Sequence, residues 1–416
     1  MRRRLVMAAI ALVSALMSAV AAPQGAQADP RVACDGVCQW LWDQQQRNTL
    51  ERTSFYDAPH PLPPAPGGTL IRQQAAEEYR VDGESPKATR ILYHSRTSDG
   101  RGVAASGVVL VPPGTPPASG WPIVVDAHGT SGIARNCAPS LMRDLYHGDQ
   151  MMRFVERGWA VVAPDYAGMG TDGRPEFLNK TAQAHDLVYG VAAARHAIPS
   201  LSSQWVLWGH SQGGGAALGV AERHQTDPLP GYLGAAVTSP AADLPIIIRR
   251  LAGATGLGGF LPLVVQGASF SDPTIETRRI LSVEAASRLA ITEAGCLPVV
   301  GAIYADLTGP TLLRPGGLED KAFARYLTAN STGRNPVGGA LLLLQGQADS
   351  VVPESLTQEL ATNLCRSGAS LTYRSYPGLE HDTYPGQTTG IDDGAMPDIL
   401  AWTAARFAGE PAPTTC

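Results

Sequence analysis

Apolar residues gather along this chain in short unbroken runs, and the runs recur as "WPIVVDAHG", "GWAVVAPDY", "QWVLWGHS", "GYLGAAVTSP", "ALLLLQGQAD" and "SLTYRSYPG". Between or after them, at about 178–197, 212–226, 354–366 and 394–408, alanine and leucine return at helical spacing. A strand that is apolar on both sides has to be covered on both faces. Strands of this kind alternating with helices therefore predict an α/β fold, a mostly parallel sheet with helices on either side. Upstream, "ILYHSRTSDGRGVAASGVVLVP" alternates around Asp99-Gly100 and predicts a hairpin. The stretch from 29 to about 87 is rich in proline and glutamine and reads as an irregular N-terminal arm. One segment breaks the rhythm. Residues 241–336 are mostly helical in pattern, rich in Gly, Leu and Pro, and too long for a connection, so they are expected to form an inserted, mainly helical cap or lid. The core then comes in two parts, 29–240 with the arm and 337–416.

Hydrophobic residues make up 44% of the chain and charged residues 17%, enough to bury a sizeable core and to exclude disorder. The first 28 residues carry three arginines, an apolar run and the small-residue pattern Ala26-Gln27-Ala28, the form of a secretory signal cleaved after Ala28. An uncleaved membrane anchor is the competing reading, because the apolar run approaches the ~20 residues that span a bilayer. The A-x-A site and the Ser and Ala content favour cleavage. Loss of Arg2, Arg3 and Arg4 takes the formal net charge from −5 to −8. Nothing basic is then left to draw nucleic acid or anionic lipid. The cysteines are Cys34, Cys38, Cys137, Cys296, Cys365 and Cys416. An even number in an exported chain points to three disulfides, with pairing open. A zinc site at Cys34 and Cys38 lacks a second Cys/His pair at finger distance.

Gly209-His210-Ser211-Gln212-Gly213 matches G-x-S-x-G, with a strand before it and a helix after it. A turn tight enough to lift a serine hydroxyl above a sheet leaves no room for side chains two residues either side, and Gly214 and Gly215 extend the close approach. Ser211 is thus the candidate nucleophile. Of the nine histidines only His224 and His381 follow it. His224 sits three turns along the helix that starts at the serine, so His381, in a loop after the last strand, is the candidate base. Asp349 ends the "ALLLLQGQAD" strand between the two and is the candidate acid, holding the imidazole tautomer. The adjacent Glu380 and Asp382 are too close to turn back on His381. For a developing oxyanion, the backbone N–H groups of Gln212 and of Thr130 in "DAHGTSG" are the candidate donors.

With these motifs the chain resembles the α/β-hydrolase superfamily. More narrowly it resembles the secretory lipase family of fungal secreted lipases and actinobacterial relatives, through "FYDAP…PGGTLIR", "ASGVVLVP", "DAHGTSG", "VVAPDYAGMG", "GHSQGG" and "GQADSVVP". It departs from some lipases of that group in carrying His210 and Gln212 beside the serine, where smaller residues stand. The resemblance implies a helical cap before the acid-bearing strand, and a disulfide from the oxyanion loop to the cap, Cys137 with Cys296. Cys34–Cys38 and Cys365–Cys416 then complete the set without further argument. The activity expected is that of a secreted, extracellular serine esterase or lipase working through an acyl-enzyme, with neither metal nor organic cofactor. A serine peptidase or acyltransferase of the same fold is the alternative, and a non-enzymatic scaffold the outsider. The partners expected are a small-molecule or lipid ester and a transient lipid interface, without nucleic acid or a transmembrane anchor after cleavage. Finally, residues 251–267 carry no charge. They either pack within the cap or line an acyl-chain groove and a hinged lid, with Leu263 and Val264 as candidate lining residues.

Overall fold

A computed structural model describes Cys34, residues 36–383 and residues 387–416. The expected signal segment, 1–28, lies outside the described residues. Among the described residues, nine strands form one sheet: β1 (Leu70–Ala76), β2 (Ala88–Arg96), β3 (Gly102–Leu110), β4 (Trp121–Ala127), β5 (Ala160–Pro164), β6 (Leu201–His210), β7 (Tyr232–Thr238), β8 (Ala340–Gly346) and β9 (Ser370–Tyr376). Their spatial order is β1-β2-β3-β5-β4-β6-β7-β8-β9. The pairs β1–β2, β2–β3 and β3–β5 are antiparallel, and every pair from β5 to β9 is parallel. The expected hairpin is the β2–β3 pair.

Alternation within each apolar run explains why both faces are covered. In β6, Trp205 and Leu207 join the layer that contains helices Lys180–Ala197 and Gln212–Thr226. Val206 and Trp208 point the other way, into the layer of helices Gly148–Glu156 and Met396–Phe407. Each such buried side chain contributes about 1.5–3 kcal/mol relative to exposure. Among the described residues no helix is long and apolar enough to cross a membrane.

The N-terminal arm is more regular than its composition predicts. It contains helix Gly36–Asn48 and the edge strand β1. β1 is paired on one side only, and its sequence LIRQQAA leaves Gln73, Gln74 and Ala75 exposed, so it carries neither an apolar run nor a clear alternation. The helix concentrates its apolar residues at positions 37–42 rather than at helical spacing. It is held from outside its own sequence, Gln45 Nε2 donating to Ala294 O and Gln45 Oε1 accepting from Cys296 N.

Between β7 and β8 the chain builds helices Leu244–Gly253, Phe260–Ser271, Leu297–Ile303 and Lys321–Asn330 with shorter turns. They share an apolar cluster, including Ile247, Leu263, Val300, Tyr304, Phe323 and Leu327, which also takes in Ile133, Phe177, Leu178 and Val352 from outside the insertion. Cys137 and Cys296 are bonded, with Cα atoms 5.4 Å apart, as are Cys34–Cys38 and Cys365–Cys416. The Cys137–Cys296 bond joins the segment after β4 to this helical insertion, where Leu297 N also donates to Ser131 O at 2.9 Å. Replacing both cysteines by serine should lower unfolding stability by about 2–4 kcal/mol, read as a fall in the urea midpoint, with m rising as the denatured chain loses a 159-residue cross-link. An unchanged midpoint would show that the bond restrains nothing.

Candidate active site

β6 ends at His210, and the chain turns at Ser211 straight into helix Gln212–Thr226. Ser211 takes φ 55°, ψ −117°, a left-handed conformation that side chains rarely adopt. The turn is held by Ser211 N donating to Thr238 O and by Gly215 N and Ala241 N donating to Ser211 O, all at 2.9–3.1 Å. Glycine is required by contact. A Cβ on Gly209 would lie 2.3 Å from Gly213 O, and one on Gly213 would lie 1.7 Å from Ala127 O at the end of β4.

Above this turn the structure brings together three residues far apart in sequence. His381 Nε2 is 2.9 Å from Ser211 Oγ, and His381 Nδ1 is 2.8 Å from Asp349 Oδ2. All three are buried, with His381 4% exposed. Asp349 lies in the turn after β8 and accepts at both oxygens. Ser239 Oγ and Gln345 Nε2 donate to Oδ2 at 2.6 and 2.9 Å, and the N–H groups of Val351 and Val352 donate to Oδ1 at 2.9 and 2.7 Å. Burial pushes the Asp349 carboxyl up, but the hydrogen bond and charge of His381, with Ser239 and the Val352 N–H, outweigh it and hold the group below its ordinary value. Burial likewise pushes His381 down, and the Asp349 bond and charge outweigh it, so the imidazole sits above its ordinary value.

Gln212 is the first residue of the helix, where N–H groups lack intrahelical acceptors and the helix dipole is positive. Thr130 follows β4, is 6% exposed, and lines one cavity with Ser211 and Gln212. Its carbonyl accepts from Tyr146 Oη at 3.1 Å. The rest of that wall is apolar, from Leu178, Leu244, Ile247, Ile248, Leu251 and Val264 among others. The space between them is about 30 Å³, room for about two waters. Of the two residues expected to line a groove, Val264 is on the wall of this small cavity. Leu263 is not: it is wholly buried in the apolar cluster beneath. Successive helical residues point about 100° apart, so an uncharged run cannot say which of two neighbours faces a cavity.

Sequence reasoning missed a second histidine–carboxylate pair. His210 Nε2 is 3.1 Å from Asp382 Oδ1. His210 was visible within the G-x-S-x-G motif, but its carboxylate lies 172 positions away, and nothing local in sequence marks the pairing. Glu380, the other acid beside His381, accepts from His381 N at 2.9 Å and from Ser350 N at 3.0 Å.

A family model described as secretory lipase matches residues 148–415, a segment that contains Ser211, Asp349 and His381. Lipase 6 of Candida albicans is 24% identical over 398 residues, covering 87% of this chain and 82% of that protein. The secreted triacylglycerol lipase LIP7 of Malassezia globosa is 23% identical over 406 residues, covering 90% and 83%. Among solved structures, Candida antarctica lipase A matches with a TM-score of 0.72 at 17% identity, covering 88% of this chain and 87% of that one.

Proposed function

Because this chain belongs to the secretory lipase family, we propose that it is an exported serine hydrolase of carboxylic esters, a lipase or carboxylesterase acting on acylglycerols or other lipid esters. The observation that supports the reading is the unbroken hydrogen-bonded series from Ser211 Oγ through His381 to Asp349. In this scheme His381 Nε2 takes the serine proton as Oγ attacks the ester carbonyl. Asp349 accepts from Nδ1–H, fixing the tautomer and stabilising the imidazolium. The imidazolium then protonates the leaving alcohol, and water activated by the same nitrogen hydrolyses the acyl-enzyme. The N–H groups of Gln212 and Thr130 receive the oxyanion.

Export rests on the signal-like residues 1–28, with the secreted Malassezia relative in support. Residues 241–336 act as the cap, with Val264 and its neighbours receiving the acyl chain. A cavity this narrow must widen to admit one, so the cap helices have to shift on binding.

A fluorophosphonate adduct should map by tandem mass spectrometry to the peptide carrying Ser211, and an adduct on another serine overturns the reading. Nitrophenyl esters and emulsified triglyceride should be hydrolysed while aminoacyl anilides survive. Anilide cleavage at a comparable rate would turn the reading to a peptidase. Each methylene buried contributes at most about 0.8 kcal/mol, so kcat/KM should rise from p-nitrophenyl acetate towards octanoate by up to about fourfold per carbon. Val264→Phe narrows the wall and should lower the octanoate value about tenfold or more, with acetate changed less than about threefold. A flat series, or equal losses on both esters, removes this cavity from acyl binding.

A further inference from the structure

His381 has an aromatic neighbour that the scheme above does not use. The His210 ring lies 4.7 Å from the His381 ring, centroid to centroid, inclined at 47°. Both His210 nitrogens are engaged, Nδ1 at 3.1 Å from Thr238 Oγ1 and Nε2 at 3.1 Å from Asp382 Oδ1. The Thr238 hydroxyl also lies 3.4 Å from Gly209 O, and at Nε2 the ring N–H donates to the carboxylate, which can only accept. His210 is 1% exposed, whereas the Asp382 side chain is 37% exposed. A carboxylate that solvent reaches is thus anchored, through a buried imidazole, on the face of the histidine that holds the serine.

We infer that His210 and Asp382 form a positioning couple for His381: the His210 ring braces the base imidazole with Nε2 on Ser211, and the Asp382 carboxylate adds a second negative charge beside the imidazolium formed during reaction. The inference rests on the triad reading above. Chain connectivity makes the brace direct. Asp382 follows His381, so fixing Asp382 on His210 also fixes the backbone that carries the base. Glu380 ties the other side of the same histidine to Ser350. The segment is therefore held at both neighbours of the reacting residue.

The titratable groups around His381 are Asp349, Asp382, Asp392, Glu380 and His210, with His147 behind His210 at 6.2 Å between rings and Asp126 on His147 at 2.9 Å. Burial pushes Asp382 up, but its bond to His210 and the nearby His381, His210 and His147 outweigh this and hold it well below the usual carboxylate range. It is then ionised throughout the range in which an esterase base works. Negative charge from Asp349, Asp382 and Asp392 raises His381 against the effect of burial. Activity requires the neutral imidazole, so it should appear as pH rises through this raised value. Removing one of those charges must move the acid limb of kcat/KM to lower pH.

Asp382→Asn keeps an acceptor for His210 and removes the charge. It should lower kcat about tenfold, leave KM within about twofold, and move the acid limb down by about half a pH unit or more. Asp382→Glu should recover most of the rate and return the limb. Melting temperature and fluorophosphonate stoichiometry at Ser211 should stay parental in both. His210→Gln retains a donor for Asp382 but loses the ring, so kcat should fall about tenfold at parental KM. It carries the same test should Asp382→Asn fail to fold. An unmoved limb in Asp382→Asn, or parental kcat in His210→Gln, overturns the couple. Activity that survives Ser211→Ala overturns the triad reading instead, whatever Asp382 does.

Discussion

Replacing Ser211 by alanine should lower kcat/KM on a p-nitrophenyl ester by about 10⁴-fold or more and abolish the fluorophosphonate adduct at that site. The loss is large because His381 Nε2, 2.9 Å away, is left without a nucleophile to deprotonate. The fold should survive. Alanine is the smaller residue, and the contacts that shape the turn are the backbone bonds of residue 211 and the bare Cα atoms of Gly209 and Gly213. Melting should therefore stay within about 2 °C of the parent. Alanine inherits the strained backbone at φ 55°, whereas glycine relieves the roughly 1–2 kcal/mol that such a conformation costs a side-chain-bearing residue. Ser211→Gly should accordingly melt above Ser211→Ala while being just as inactive. That ordering would mark the strain as held for chemistry rather than for folding. A near-parental ester rate in Ser211→Ala sinks the nucleophile assignment.

The features legible in the sequence are those with a local cause. A buried parallel strand must be apolar on both sides, so β4 to β8 announce themselves as runs. A serine lifted between strand and helix must be flanked by glycine, so "GHSQGGG" is readable from the chain alone. Asp349 and His381, which the structure brings together with Ser211, are candidates in the sequence through chain order and position at strand ends. The residues that stayed hidden depend on what lies across the fold. β1 is an outer strand interrupted by Arg72, Gln73 and Gln74, and the partners that hold it are on β2. Helix Gly36–Asn48 is fixed by hydrogen bonds to Ala294 and Cys296, about 250 positions away. Asp382 is adjacent to His381, and adjacency, which argues against its serving as that residue's acid, says nothing of its reach to His210. Leu263 and Val264 share one uncharged run, and only the orientation of their helix separates a cavity wall from a core.

Asp349→Asn is expected to cost about 10³–10⁴-fold in kcat, through the wrong imidazole tautomer rather than through lost packing. An asparagine of the same shape has one acceptor oxygen and one NH₂ to place where two carboxylate oxygens stood. The Oδ1 position faces the N–H groups of Val351 and Val352, which can only donate. The Oδ2 position faces His381 Nδ1, the Ser239 hydroxyl and Gln345 Nε2. The first two of these can exchange donor for acceptor, the imidazole by changing tautomer and the hydroxyl by rotating. The amide oxygen therefore settles on the two backbone donors and the NH₂ turns to His381. Nδ1 must then accept, the ring proton moves to Nε2, and the nitrogen facing Ser211 can no longer take its proton. Negative charge beside the imidazolium is lost at the same time. Measured against Asp382→Asn, whose expected cost is about tenfold, Asp349→Asn should be the worse variant by two orders of magnitude or more at near-parental melting temperature. If Asp382→Asn proves the more damaging of the two, the acid of this site has been misplaced, and the half-buried carboxylate of Asp382 rather than that of Asp349 holds the base.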